Sequence, residues 1–343
     1  MNKRAFRVTA VGVTLAVVFV LNCGDDVGET EPYDYPWRVY GVPGLSHYSD
    51  ITGIYMVSTR EGWGCVDNGE IIRFDGPKWR VFCSSNTETM YEHLLSMSFS
   101  GPTDGWVVGY RYDVHADYDD RSPIVLHYDG VKWREVAAPP SASLATVYAL
   151  APDDVWAGGS DGFFHYDGSS WTHYRAASDI TAVDFFSPSY GWGIDSHGEH
   201  WLWDGARWRP VAGGGCNQPG GVSAPSPGSG WSVGAFSGDC EIPTEIVVAY
   251  YDAVWDTWRS YGRLSGTPAE HRPLHAVHFA APDDGWAAGQ VCLRYAGSRW
   301  TQVPLPPFTC AYSVFTLGGD EVWLGCSDGK LLKYAPPQGR ASP

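Results

Sequence analysis

The chain has 343 residues, 44% of them hydrophobic, with 17 Trp, 20 Tyr and 41 Gly but four Met. This is a composition of strands and turns, not of disorder or long helices. The formal charge of −16 repels phosphate backbones, so nucleic acid is excluded as a partner.

The N-terminal stretch reads as an export signal. Lys3, Arg4 and Arg7 precede an apolar run, Val8 to Leu21, of fourteen residues. A membrane helix needs about 20, whereas a signal core is shorter. The run ends in Leu21-Asn22-Cys23, followed by Gly24-Asp25-Asp26. This resembles a bacterial lipobox, although Asn22 stands where a small residue is usual. The resemblance implies a signal peptide over residues 1–22, lipidation of Cys23 and an acidic tether over 23–32. An uncleaved anchor or ordinary signal cleavage are the alternatives. Loss of residues 1–22 removes three basic groups and no acidic ones, leaving 20 basic against 39 acidic, or −19. Membrane attachment then rests on the lipid alone. The expected location is the periplasm or cell surface of a bacterium.

From Asp34 onwards one sentence is repeated. Its clearest copy is Asp154-Val155-Trp156-Ala157-Gly158-Gly159-Ser160-Asp161-Gly162-Phe163-Phe164-His165-Tyr166-Asp167-Gly168-Ser169-Ser170-Trp171. Asp-Gly pairs between apolar runs mark tight turns, because both residues tolerate positive φ. Each repeat predicts four strands. The second carries a Trp (Trp63, Trp106, Trp156, Trp192, Trp231, Trp286, Trp323), and the fourth opens with another (Trp79, Trp133, Trp171, Trp208, Trp258, Trp300). Four-stranded repeats of about 36 to 55 residues signify propeller blades. Seven second-strand tryptophans face only six fourth-strand ones, and the last repeat stops near Tyr334. The orphan fragment around Trp37 supplies the missing strand. The prediction is an all-β, seven-bladed propeller over residues 33–337. Its seventh blade is closed by the N-terminal strand, and 338–343 form a tail.

These repeats resemble propellers of the BNR or Asp-box class. They are most similar to the photosystem II stability/assembly factor-like group, through Asp104-Gly105-Trp106-Val107-Val108-Gly109 and Asp284-Gly285-Trp286-Ala287-Ala288-Gly289. The turn departs from the Asp-box form, since Asp167 and Gly168 are adjacent. The resemblance implies fold rather than activity, and a role in photosystem assembly does not carry over. A sialidase site is excluded: Ile242-Pro243 follows Glu241 instead of Arg. Five arginines (Arg38, Arg80, Arg134, Arg209, Arg259) follow fourth-strand tryptophans, on the outer rim.

The loops between strands two and three, and between blades, vary in length, and a variable face on a regular scaffold is where binding resides. Blade two inserts residues 110–121, contributing Arg111, Tyr112, Asp113, His115 and Asp117. Blade five contributes Phe236, Asp239 and Glu241. Three steps around seven blades place the two loops about 150° apart, as walls of an acidic, aromatic cleft. The expected activity is non-enzymatic capture of a protein, peptide or glycan by a monomer. The alternative is a glycan hydrolase or lyase using Asp113, Asp195, Glu199 or Asp239. No cofactor is expected. Ca²⁺ in the blade-two loop, or Zn²⁺ on Asp195, His197, Glu199 and His200, is the competing possibility. His127 and His165 share one repeat position, which predicts a structural role. In an exported chain the cysteines predict disulfides: Cys310–Cys326, Cys65–Cys83 and Cys216–Cys240, with Cys292 left over.

Overall fold

A computed structural model describes residues 35–46, 48–84, 90–113, 115, 121–214, 218–236, 245–261 and 273–336. All of them belong to the unit Glu31–Pro343. Seven antiparallel sheets of four strands follow one another along this unit, forming a seven-bladed β-propeller. Blade one begins at Ile51–Ser58, and each blade runs outward from its first strand to its fourth. The seventh sheet is built as expected from both parts of the chain. Trp37–Gly41 pairs antiparallel with Lys330–Tyr334, Trp37 opposite Tyr334 and Gly41 opposite Lys330. The outer edge of that blade is thereby supplied by the N-terminal strand.

The repeated motif has a steric explanation. A Cβ on Gly105 or Gly285 would come within about 2.4 Å of the Phe99 or Phe279 ring on the first strand. A Cβ on Gly109 or Gly289 would come within about 2 Å of the His93 or Pro273 carbonyl oxygen. Those carbonyls precede a β-bulge found in all seven first strands, where the extra residue bends the strand along the axis. The outer turns use Asp differently. Asp129, Asp167 and Asp204 each accept two backbone N–H bonds through Oδ1, and the following glycines lie at φ of +86°, +89° and +90°. Arg80, Arg134 and Arg259 return from the fourth strand to pair with Asp75, Asp129 and Asp252, on the outer rim.

The tryptophans join the blades. Each second-strand indole is buried, and at six of the seven interfaces it meets the fourth-strand indole of the next blade edge to face. These pairs are Trp63–Trp133, Trp156–Trp208, Trp192–Trp258, Trp231–Trp300, Trp286–Trp37 and Trp323–Trp79, with centroids 4.8–6.0 Å apart. Trp106 meets Tyr166 at the remaining interface. Such pairs contribute about 0.5–1.5 kcal/mol each beyond the area they bury. Trp37 thus takes the place of a seventh fourth-strand tryptophan, and its Nε1–H donates to the Pro304 carbonyl at 2.9 Å. On the other side of the second-strand indole sits a third-strand residue. His127 tilts over Trp106 and His165 stacks on Trp156, each at 4.4 Å, and their Nε2 atoms lie 2.7 and 2.8 Å from Asp104 and Asp154. Both histidines are therefore parts of the blade.

The expected disulfides among described residues are not formed: Cys65, Cys83, Cys310 and Cys326 are free thiols, as is Cys292. Cys65 and Cys83 both face Ile71, from the strands on either side of it. Two strand spacings are roughly 9.5 Å, beyond the reach of about 7 Å between bridged Cα atoms. Cys326 stands opposite Ala311, and the Cys310 carbonyl accepts the Ser327 N–H. The offset of one residue turns the two thiols to opposite faces of the hairpin. Cys326 enters the same buried cluster as Cys292. Burial pushes the Cys65 thiol up to about 12 and raises those of Cys292 and Cys326 further. Cys216 and Cys240, like Cys23, lie outside the described residues.

Candidate binding face and central channel

All first strands run in one direction, so their N-terminal ends share a face with the variable loops. Blade two rises furthest there. Its first strand, Met90–Gly101, has twelve residues and its second, Asp104–Asp113, has ten, where the other blades use six or eight and six. The extra length carries aromatic rings. His93 stacks on Tyr110 at 4.9 Å and on Tyr112 at 5.8 Å, Tyr91 lies 5.9 Å from Tyr112, and the Arg121 guanidinium sits 5.1 Å over Tyr110. Tyr112 therefore belongs to a half-buried aromatic wall whose exposed member is Tyr91. Arg111 is held by buried Glu92 at 3.4 Å and by Glu135 at 2.8 Å. Asp113 caps the tip by accepting the His115 N–H at 2.8 Å. Phe236 ends its strand exposed, opposite Glu245. Asp117, Asp239 and Glu241 lie outside the described residues, and so does the rest of the two-loop cleft.

Next to this wall the channel mouth bears groups that sequence reasoning missed. Asp50 and Asp67 are tied together: the Asp50 N–H donates to Asp67 Oδ1 at 2.9 Å, and the Asp67 N–H to the Asp50 carbonyl at 3.0 Å. Burial raises both carboxyls, and at Asp50 the charge of Asp67 adds to it. The Tyr312 hydroxyl bonds Asp50 and opposes the shift, while His275 stacks on Tyr312 at 5.3 Å. A polar, aromatic arc thus runs from blade six through blade seven and blade one to blade two. Its residues sit beside the strand bulges, a position visible only once the register is known.

The four residues considered for Zn²⁺ diverge. Asp195 is buried, and its Oδ1 accepts the N–H groups of His197 and Glu199 while Oδ2 accepts from Trp201 Nε1. His200 turns inward, stacks on Trp258 at 4.0 Å and places Nε2 2.8 Å from Ser232 Oγ. Burial pushes its pKa down to about 3. His197 and Glu199 are exposed, with His197 Nδ1 bonded to Ser178 Oγ at 2.8 Å. The Asp195 carboxylate is fully used as a turn acceptor, so the set offers no shared coordination centre. Among the described residues no cluster has metal-holding geometry.

Along the axis runs a channel of about 300 Å³ lined by the first strands. Register aligns seven residues opposite the seven second-strand tryptophans: Tyr55, Ser98, Tyr148, Asp184, Ser223, His278 and Phe315. Alternate members stitch blades together by accepting an N–H from the next one. Ser98 Oγ accepts from Ala149 at 3.0 Å, Asp184 Oδ2 from Ala224 at 2.7 Å and His278 Nδ1 from Thr316 at 3.3 Å. Burial lifts the Asp184 carboxyl to about 6 and lowers His278 to about 4. Tyr148 is raised by burial and by the neighbouring Asp184. Asp184 is the one carboxylate among the described residues lining the channel. The pair that glycoside hydrolysis needs is not assembled there, and Asp113, Asp195 and Glu199 are elsewhere.

No family model and no curated protein sequence matches the chain. Several solved propellers share its fold. A structure of YCF48 bound to a D1 peptide superposes with a TM-score of 0.65 at 19% identity, covering 90% of this chain and 99% of that one. The WD40 β-propeller domain of Doa1 gives 0.65 at 10% identity, over 89% and 98%. A catalytically inactive virginiamycin B lyase from Staphylococcus aureus, solved with quinupristin, gives 0.64 at 12% identity, over 86% and 98%. At these identities the likeness extends to the propeller architecture, which this chain shares over nearly all of its described length.

Proposed function

We propose that this chain is an exported, lipid-tethered propeller that captures a protein or peptide segment on its variable face, without catalysis. The observation that carries this reading is the blade-two extension, where Tyr91, His93, Tyr110 and Tyr112 stand above the ring beside the acidic pair Asp50 and Asp67. Aromatic rings supply large contact area at low entropic cost, and neighbouring carboxylates favour a cationic partner. YCF48, a propeller of the same architecture, has been solved with a peptide bound. Export and lipidation rest on the residues up to Cys23. A soluble peptide library presented to the wild-type protein should yield basic, aromatic-rich ligands. Replacing both Tyr91 and Tyr112 with Ala should weaken their capture by about tenfold or more, as loss of aromatic anchors does, while the melting temperature stays near the wild-type value. Undiminished capture by the double variant would remove this face from consideration. For the tether, the mature protein should partition with membranes and Cys23→Ala should release it; unchanged partition and mass would refute lipidation.

A further inference from the structure

The stitching role explains an acceptor at position 184 but not a charge. In blade two a serine accepts the next blade's N–H, and in blade six a histidine that burial keeps neutral does the same. Asp184 fills this role with a carboxylate, whose Oδ1 also accepts the Phe185 N–H at 3.0 Å. No lysine or arginine is among the described residues lining the channel. The charge therefore meets three hydrogen-bond donors, the Ala224 and Phe185 N–H groups and the Ser223 hydroxyl, and no counter-charge among the described lining residues. Around the same level stand Tyr148, whose phenol feels the Asp184 charge, and Tyr55, which influences Tyr148 in turn. Neither phenol hydroxyl bonds another protein group among the described residues. The Tyr55 and Phe315 rings lie 4.6 Å apart, and Phe315 is stacked on His278 at 4.5 Å. Towards the variable face the next level is lined by small residues, Gly53, Ser96, Thr146, Ala276 and Ser313, which leave a way in.

The geometry points to a binding site for an ammonium group in the channel, held by the Asp184 carboxylate and by the phenol oxygens of Tyr148 and Tyr55, which line the same level of it. A primary ammonium has three donors, which matches three oxygens of two kinds. A single carboxylate does not suit a divalent ion, which demands about six oxygens or more. A cavity of about 300 Å³ is at the lower end of small-ligand sites, which fits a short alkylamine or one lysine side chain. The inference does not depend on peptide capture at the variable face, since a free amine tests it alone.

The probe is n-butylamine, with n-butanol and butyrate as comparators of similar size, measured by calorimetry and thermal shift at about pH 8, where an alkylammonium and the carboxylate are both charged. Butylamine should bind and raise the melting temperature, and neither comparator should. Asp184→Asn should weaken butylamine binding by about ten- to a hundredfold, the worth of a charge-assisted hydrogen bond. Tyr148→Phe removes a hydroxyl that has no protein partner among the described residues, so this variant should fold and should lose several-fold; it decides the matter alone if the Asn variant is unstable. Competition by N-acetyl-lysine methylamide identifies a lysine side chain as the source of the ammonium group, and butylamine binding without such competition identifies a free amine. No butylamine binding by the wild type, or equal binding by both variants, overturns the proposal.

Discussion

Two side chains pull stability in opposite directions with pH. His200 titrates near 6.5 in an unfolded chain and is pushed down to about 3 in the fold. Between those values the unfolded state binds the extra proton, so stability falls as pH drops from about 6.5 towards 3. His278, lowered to about 4, acts in the same direction. Asp184 does the reverse. Its folded value of about 6 exceeds the ordinary 3.8, so the folded state binds the proton and stability falls as pH rises from about 4 to 6. His200→Phe should keep the stack on Trp258 but orphan Ser232, costing about 1–2 kcal/mol at neutral pH. Its denaturation midpoint should then decline less steeply than the wild type's between about pH 6.5 and 4. Asp184→Asn should gain on the order of 1 kcal/mol relative to wild type on passing from about pH 4 to 7. Urea titrations at four pH values measure both slopes; parallel curves for wild type and variants would mean that neither group is buried as described. Asp184 was not legible as a channel residue. Its strand reads Thr181-Ala182-Val183-Asp184-Phe185, and the six residues aligned with it are Tyr, Ser, Tyr, Ser, His and Phe. Only register, not residue type, unites them.

At the scale of elements, the legible features are those encoded by neighbours in sequence. Asp-Gly turns and the tryptophan after them are local signals, and they placed the outer strands and the closing strand correctly. Pairings that depend on a register set across the sheet were not legible. Cys310 and Cys326 look symmetric about their turn, yet a one-residue offset separates their faces. The strand Trp37–Gly41 is the sharpest case of a readable element, because an unmatched tryptophan demanded it. Its indole packs edge to face on Trp286 and against Tyr334 at 5.3 Å. Trp37→Ala should cost about 3–5 kcal/mol by cavity formation. Trp255, 69% exposed, is the control, and its replacement by Ala should change stability by less than about 0.5 kcal/mol. Equal losses for the two would show that the closing strand is not packed as described.

For the ring as a whole, adjacent blades are held by indole pairs at nearly every interface and by side-chain acceptors of the next blade's N–H groups, and the chain ends are tied by strand exchange within blade seven. Their separate worth can be measured by moving the chain break. Trp37 pairs with Tyr334, and the Ala335 N–H donates to the Pro36 carbonyl at 2.9 Å, so a short linker can join residue 336 to residue 35. New ends opened between Gly168 and Ser169 leave Trp171–Arg175 as an N-terminal strand paired with Gly162–Tyr166. That permutant keeps strand-exchange closure, now in blade three. New ends between Ala177 and Ser178 instead leave every blade continuous. Its ring is then closed only by side chains between blades three and four, chiefly Trp156–Trp208 and the Phe163–Trp208 stack at 3.8 Å. Both permutants contain the same residues and the same indole pairs, and differ in whether backbone hydrogen bonds tie the two ends of the chain together. Opening the second ring frees a whole blade edge, whereas opening the first requires four to five residues of ladder to separate as well. The permutant cut inside blade three should melt close to the native arrangement. The one cut between blades should melt several degrees lower, as a loss of a few kcal/mol implies for a chain of this length, and should be cleaved faster by protease. Coincident melting curves would mean that the contacts between neighbouring blades suffice to close the ring and that the exchanged strand contributes no more than any other edge.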